Sequence, residues 1–205
     1  VRDHPGAHAG DAVAPLPLAL RTWAQAAIAS RAGEFVVGFS GSFRPWHDLD
    51  TLILAIARLR ERIPARLVLA GDGPSRNALL ALTLQHQVPA VFAGNVDKEE
   101  TSALLQCCDA IAVPCGLVSD DFSPLRLVEA MAAGRPIVAT ESALARRVLA
   151  EGTSGLLVPA GDPAAFAQAF AKLATQPELR EKLATAARRR ALEHYSWDMT
   201  VELLL

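Results

Sequence analysis

Cysteine, tyrosine and lysine are all scarce in this 205-residue chain, which has three cysteines, one tyrosine and three lysines against seventeen arginines. Cys107 and Cys108 are adjacent and Cys115 follows an apolar run. That spacing makes neither a disulfide framework nor a zinc site, so the thiols read as buried and free, in a reducing compartment. His4 and His8 flank Gly and Ala in a region without periodicity, which excludes a built metal site there. No apolar run reaches the ~18 residues of a membrane-spanning helix, and no basic-then-apolar leader opens the chain. A cytoplasmic protein is expected, with peripheral attachment to the inner membrane left open for a longer form. The net charge of −2 excludes a nucleic-acid surface driven by bulk positive potential. Neither an internal repeat nor a low-complexity tract is present, and the arginine bias accompanies abundant alanine, as genomic composition would produce.

What is present is a strong alternation. Residues 1–15 read as linker and Leu16–Ser30 as a helix. Strands follow at Glu34–Phe39, Arg66–Ala70, Ala90–Ala93, Ala110–Val113, Ile137–Ala139 and Gly155–Val158. Between them lie helices: Asp48 caps one running to about Arg60, and others span Ser75–His86, Asp97–Cys107, Pro124–Ala133 and Ala143–Ala150. Helices at Asp162–Ala174 and Pro177–His194 close the pattern, with Ser196, Trp197 and Asp198 opening another. Strands that are apolar nearly throughout belong to a parallel sheet covered on both faces. The fold class expected is therefore α/β: a Rossmann-like, doubly wound parallel sheet of six strands with extra C-terminal helices. Ligands of such sheets bind at the carboxyl ends of the strands. The loops at that edge carry Gly41, Ser42, Arg44 and His47, then Gly71 to Gly73, then Asn95 and Val96, then Asp120 and Asp121.

The stretch from Asp120 to Val138 carries the most chemistry. Ser123 is a good N-cap and Pro124 needs no donor at the first helical position. The free N–H groups of that turn, with Phe122 and Leu125 beside them, make a seat for phosphate. Arg126 can neutralise a phosphate, and Glu129, three residues on, shares its helical face and can hold sugar hydroxyls. The alternative is an ordinary Arg126–Glu129 surface ion pair, worth about 0.2–0.5 kcal/mol.

Five landmarks in order break that tie: Gly38 to Ser42 with Trp46, His47 and Asp48; Leu69 to Pro74; Val91 to Val96; Pro114 through Glu129 to Pro136; and Gly152 to Pro163. Together with Tyr195 to Trp197 they resemble the carboxyl-terminal, donor-binding half of the two-Rossmann-domain (GT-B) glycosyltransferases of the retaining family 4 type. The resemblance runs from residue 34 to about 198. It implies that residues 1–33 are a linker and a helix from a missing N-terminal half. Residues 34–195 then form the nucleotide-sugar-binding domain, and 196–205 begin a cut C-terminal helix. It implies a nucleoside diphosphate sugar as donor, a glycan or lipid-linked acceptor, no cofactor and no metal. Glu129 would hold the ribose, Phe122 to Arg126 the diphosphate and sugar, and Gly94, Asn95 and Val96 the base.

Departures from the family pattern are equally specific. The first glutamate of the usual motif falls on Asp121, leaving Asp121, Asp120 or neither on the donor sugar. The usual Arg and Lys of the first loop are Ser42 and His47, so Arg44 and Arg126 are the cations available. His47 either donates to phosphate or packs beside Trp46 at the helix entry, and Trp46 reads as a packing residue. Asp72 reads as a brace for its turn. Two other readings share the fold: a non-catalytic nucleotide-sugar-binding or scaffolding module, and a GT-B epimerase.

Overall fold

Strands form at Phe35–Ser40 (β1), Ala65–Ala70 (β2), Ala90–Gly94 (β3), Ala110–Val113 (β4), Ile137–Thr140 (β5) and Leu156–Val158 (β6) in the computed structural model. The structure describes residues 18–28, 33–116 and 124–195. The expectations for residues 1–17, for the loop with Asp120, Asp121, Phe122 and Ser123, and for Ser196, Trp197 and Asp198 lie outside those residues. All six strands join one parallel sheet in the order β3-β2-β1-β4-β5-β6. The order reverses between β1 and β4, which is where doubly wound sheets open a binding crevice.

The helices are Leu18–Ile28 (α1), Leu49–Leu59 (α2), Arg76–Gln85 (α3), Lys98–Cys107 (α4), Pro124–Ala132 (α5), Ala143–Val148 (α6), Pro163–Thr175 (α7) and Pro177–His194 (α8). They cover both faces of the sheet because successive strand residues point to opposite sides. Phe35, Val37 and Phe39 of β1 join Leu67 and Leu69 of β2 in a core shared with α2 and α7. Val36, Val68 and Ala70 face the other way, against Ala24 and Ile28 of α1 and Ala103 and Leu104 of α4. A third cluster seats Leu127 and Met131 of α5 on Ile111, Val113 and Ile137, with Ala187 and Ala191 of α8 closing it. Helix α8 thus completes the core beneath α5.

Three local expectations change. Asp48 occupies the N-cap position of α2 at φ 49°, yet its side chain caps no backbone N–H; its Oδ1 accepts instead from Thr51 Oγ1 at 2.7 Å. A left-handed backbone turns the carboxylate away from the first-turn amides. The sixth helix ends at Val148 rather than Ala150, because Ala150 and Glu151 both adopt positive φ and turn the chain towards β6. Among the cysteines, Cys108 and Cys115 are buried but Cys107 is only half-buried. Cys108 lies over Gly38, where a Cβ would stand 2.6 Å from its Sγ. Its thiol donates to the Leu104 carbonyl, and burial pushes its pKa far up, so it is packing rather than chemistry.

Candidate functional site

Three glycines bring the ends of β1, β2 and β3 into contact. Gly41 donates its N–H to the Ala70 carbonyl (3.0 Å), and Gly71 donates to the Gly94 carbonyl (2.7 Å). Gly71 sits at φ +130°, and a Cβ on it would stand 2.0 Å from the Gly41 carbonyl oxygen. Only glycine allows this approach. Above these turns, roofed by α4 and α5, lies a cavity of about 560 Å³, within the range of small-molecule sites.

The cavity gathers residues from every element at this edge. Gly41 and Ser42 follow β1, Gly71 and Asp72 follow β2, and Asn95 and Val96 follow β3. Lys98, Thr101, Ser102 and Leu105 come from α4, and Arg126, Glu129 and Ala132 from α5. A helix repeat of 3.6 residues puts Arg126, Glu129 and Ala132 on one stripe. Strand spacing of roughly 4.8 Å separates the β1 loop from the β3 loop by about 10 Å, across β2.

Arg126 dominates the electrostatics of one end. Its stem passes over the first loop, and a Cβ at Gly41 would meet Arg126 Cδ at 3.4 Å. Its Nη1 is buried and has no hydrogen-bond partner among the described residues. Burial pulls the guanidinium pKa down, against the smaller opposing pull of Cys115 and Glu129. No Arg126–Glu129 ion pair is found among those of the described residues, so the plain surface pair does not form. A buried donor with no acceptor is unfavourable by about 1–3 kcal/mol, and an anion in the cavity would satisfy it.

The expected site residues divide accordingly. Gly41, Ser42, Gly71, Asn95, Val96, Arg126 and Glu129 come together around the cavity. Arg44 does not line it; its guanidinium lies 5.5 Å from the centre of the Trp46 ring, which stays 41% exposed. Pro124 and Leu125 begin α5 on its exposed side. Asp121, Phe122 and Ser123 lie outside the described residues. Asp72 lines the cavity while bracing its turn: its Oδ1 accepts from Gly73 N–H (2.7 Å) and faces Arg76 Nε at 3.8 Å.

His47 is 5% exposed, with ring centroids 5.9 Å from Phe39 and 6.0 Å from Trp46. Its Nδ1 bonds the Ser42 carbonyl, which fixes a donor tautomer and pins the first loop. Burial lowers its pKa below the usual value, and the charges of Arg126 and Arg44 lower it further against that hydrogen bond. The folded protein therefore resists protonation, and stability falls as pH drops below the unfolded value of about 6.5. His47→Gln is expected to lose about 1–2 kcal/mol at neutral pH. Its deficit against the unaltered chain should shrink between about pH 7 and pH 5, read from urea midpoints across that range.

Sequence reasoning passed over Lys98, Thr101 and Ser102. One signal was available. Lys98 is a cation in the first turn of α4, where the macrodipole disfavours positive charge, beside a complete Asp97–Glu100 capping box.

Comparison with known proteins gives a consistent result. The family model for glycosyl transferases group 1 matches residues 22–190. D-inositol 3-phosphate glycosyltransferase of Salinispora arenicola is 35% identical over 201 residues, covering 90% of this chain and 44% of that protein. Phosphatidyl-myo-inositol mannosyltransferase of Mycobacterium leprae is 39% identical over 114 residues, 56% of this chain and 30% of the relative. The chain thus spans less than half the length of these relatives. Among solved structures, HepE of Anabaena in complex with UDP and glucose superimposes with a TM-score of 0.77 at 20% identity, over 92% of this chain and 52% of that one. Sucrose-phosphate synthase of Thermosynechococcus elongatus gives 0.78 at 24% identity, over 92% and 47%. The expected fold, a doubly wound six-stranded parallel sheet, is the one these structures share.

Proposed function

This chain belongs to the group 1 glycosyl transferases, and from that premise we propose that it binds the donor of a retaining sugar transferase acting on a nucleoside diphosphate sugar. The observation that carries this reading is the buried Arg126 Nη1, without a partner among the described residues, in the same cavity as Glu129. Arg126 and the backbone N–H groups of the first loop take the diphosphate, and Glu129 accepts from the ribose hydroxyls.

In transfer, the bond between the anomeric carbon and the diphosphate oxygen breaks and an acceptor hydroxyl forms the new bond on the same face. The electron pair leaves with the diphosphate, whose departing oxygen takes the proton of the acceptor hydroxyl and whose charge Arg126 and the loop amides stabilise without a metal. Asp121 is the carboxylate assigned to the donor sugar. The acceptor and the rest of the cleft belong to a second Rossmann-like domain, since catalysis requires both reactants to be held in register. Relatives named for inositol phosphate and phosphatidyl-inositol substrates support a hydroxylic acceptor in glycan, polysaccharide or glycolipid synthesis. The reading includes a cytoplasmic site of action, in keeping with thiols that form no disulfide.

Titration of the chain with UDP, GDP and ADP tests this. One or more should bind, and Glu129→Ala should weaken binding about tenfold or more through lost ribose hydrogen bonds. Turnover by a full-length protein in excess chelator, with the anomer of the product read by NMR, tests the metal-free and retaining parts. Binding of no diphosphate by the folded chain would overturn the donor-site reading.

A second reading, a non-catalytic nucleotide-sugar-binding module, is favoured by one observation. The first loop offers Ser42 and a buried His47 where cations are usual, and Arg44 is occupied on Trp46. Hydrolysis of donor sugar by the full-length protein separates the two.

A further inference from the structure

A buried imidazole packs into the first loop beside Arg126. His47 is 5% exposed, lies between the rings of Phe39 and Trp46, and donates from Nδ1 to the Ser42 carbonyl. Phe39 links it to Arg126: a Cβ at Gly41 would meet the Phe39 ring at 3.2 Å and Arg126 Cδ at 3.4 Å. The imidazole, the guanidinium stem and the first loop therefore form one packed unit at the end of β1.

The elements around that unit bring few charged or titratable groups. The first loop supplies Arg44, the start of α2 Asp48 and Asp50, the end of β4 Cys115, and α5 Arg126 and Glu129. Among the described residues, the charges that act on the ring are Arg126 and then Arg44, and both oppose its protonation. Asp48 Oδ1 accepts from Thr51 Oγ1 at 2.7 Å, Asp50 is exposed, and Glu129 lines the cavity. Burial acts in the same direction and more strongly, so the free chain holds the ring neutral at pH 7. Nδ1 already carries the proton of the neutral ring, so a second proton goes to Nε2. A charged ring also strengthens the bond to the Ser42 carbonyl, tightening a loop whose Gly41 and Ser42 line the cavity.

We propose that His47 is a positioning residue of the donor site that takes up a proton from solvent when a diphosphate binds at Arg126, so that the first loop gains a cation only while an anion is present. The inference rests on the donor-binding reading above. Negative charge beside Arg126 cancels the repulsion that keeps the imidazole neutral. A permanent cation buried between Arg126 and Arg44 would be repelled in the empty site, and an imidazole avoids that. By linkage, a ring whose pKa is higher in the complex than in the free chain makes affinity greatest at low pH. Affinity then falls as pH rises through the midpoint of the complex.

The test is calorimetry of the 205-residue chain and of His47→Gln with UDP-glucose, GDP-glucose and ADP-glucose. These probes are pyrophosphate diesters, so their own charge stays constant between about pH 5.5 and pH 7.5 and proton uptake belongs to the protein. Titration in buffers of different ionisation enthalpy gives the protons bound per ligand. For the tightest of the three, uptake of at least about 0.3 proton is expected near pH 6, with affinity rising at least about threefold from pH 7.5 to pH 5.5. Both effects should vanish in His47→Gln. A merely structural histidine would alter stability and leave proton uptake at zero. NMR of the five imidazoles in the unaltered chain gives a second reading that needs no variant. The imidazole in contact with Phe39 and Trp46 should titrate at higher pH in the complex than in the free chain. Binding without proton uptake overturns the proposal, and so does uptake that persists in folded His47→Gln; both leave the donor site standing. Binding of none of the three by the folded chain overturns the donor-site reading, and this inference with it.

Discussion

Arg126→Met should make the free chain more stable and nucleotide binding weaker, two effects of opposite sign from one side chain. The guanidinium is desolvated, its Nη1 has no partner among the described residues, and Glu129 does not close an ion pair with it. Removing an unsatisfied buried donor and replacing it with an apolar chain of similar length should recover about 1–2 kcal/mol. The same donor is the charge nearest the proposed phosphate position, and a charge-assisted hydrogen bond contributes about 1.5–3 kcal/mol, or roughly ten- to a hundredfold in affinity. A urea midpoint that rises while UDP or GDP affinity falls is the expected pair of results. A falling midpoint would show that Arg126 is structural, and an unchanged affinity would remove it from the phosphate site. Destabilising charge retained at a binding site is a familiar exchange between stability and function.

Gly71→Ala should be the most damaging single substitution at the site. The residue sits at φ +130°, a region open only to glycine, at a strain of about 1–3 kcal/mol for any other residue. The added Cβ would also stand 2.0 Å from the Gly41 carbonyl oxygen, which is backbone and cannot rotate aside. Overpacking of this kind adds about 1–3 kcal/mol, so the total approaches a large share of a typical 5–15 kcal/mol stability. Gly161→Ala is the control: φ is +66° but a Cβ meets nothing within 4 Å, and about 1 kcal/mol is expected. Equal urea midpoints for the two variants would show that contact between the strand-end loops is not what Gly71 supplies. Loss of nucleotide affinity should accompany Gly71→Ala even where it remains folded, because the Gly41 and Gly94 turns on either side frame the cavity.

The strands and helices were legible because their cause is local. Runs such as Phe35 to Phe39 and Ala110 to Val113 are apolar on both faces, and Pro163 behind Asp162 starts α7 with a carboxylate that accepts from Ala164 and Ala165 N–H. Where local cues misled, tertiary demands had won. Asp48 looks like a cap but takes a left-handed backbone to feed α2, and Ala150 looks helical but turns the chain into β6.

Residues that line the cavity were legible where family-like spacing marked them, as with Gly41, Asn95, Arg126 and Glu129. Lys98, Thr101 and Ser102 escaped because they are unremarkable on a helix until the sheet edge places them opposite α5. Arg44 and His47 had the right charge and position in sequence, yet one lies on Trp46 and the other is buried against Phe39. Side-chain direction in a loop depends on which neighbours it meets, and no sequence period encodes that.

By itself the sequence determined the alternation of strands and helices, the parallel sheet that alternation forces, and the edge at which the loops gather, because periodicity and burial act over a few residues. Only the tertiary structure decided which side chains at that edge share one cavity. It also decided that Arg126 keeps a donor there with no partner among the described residues, and that Gly71 must be glycine. Those outcomes depend on contacts between elements far apart in the chain, where a fraction of an ångström between one loop and another sets the sign of the energy.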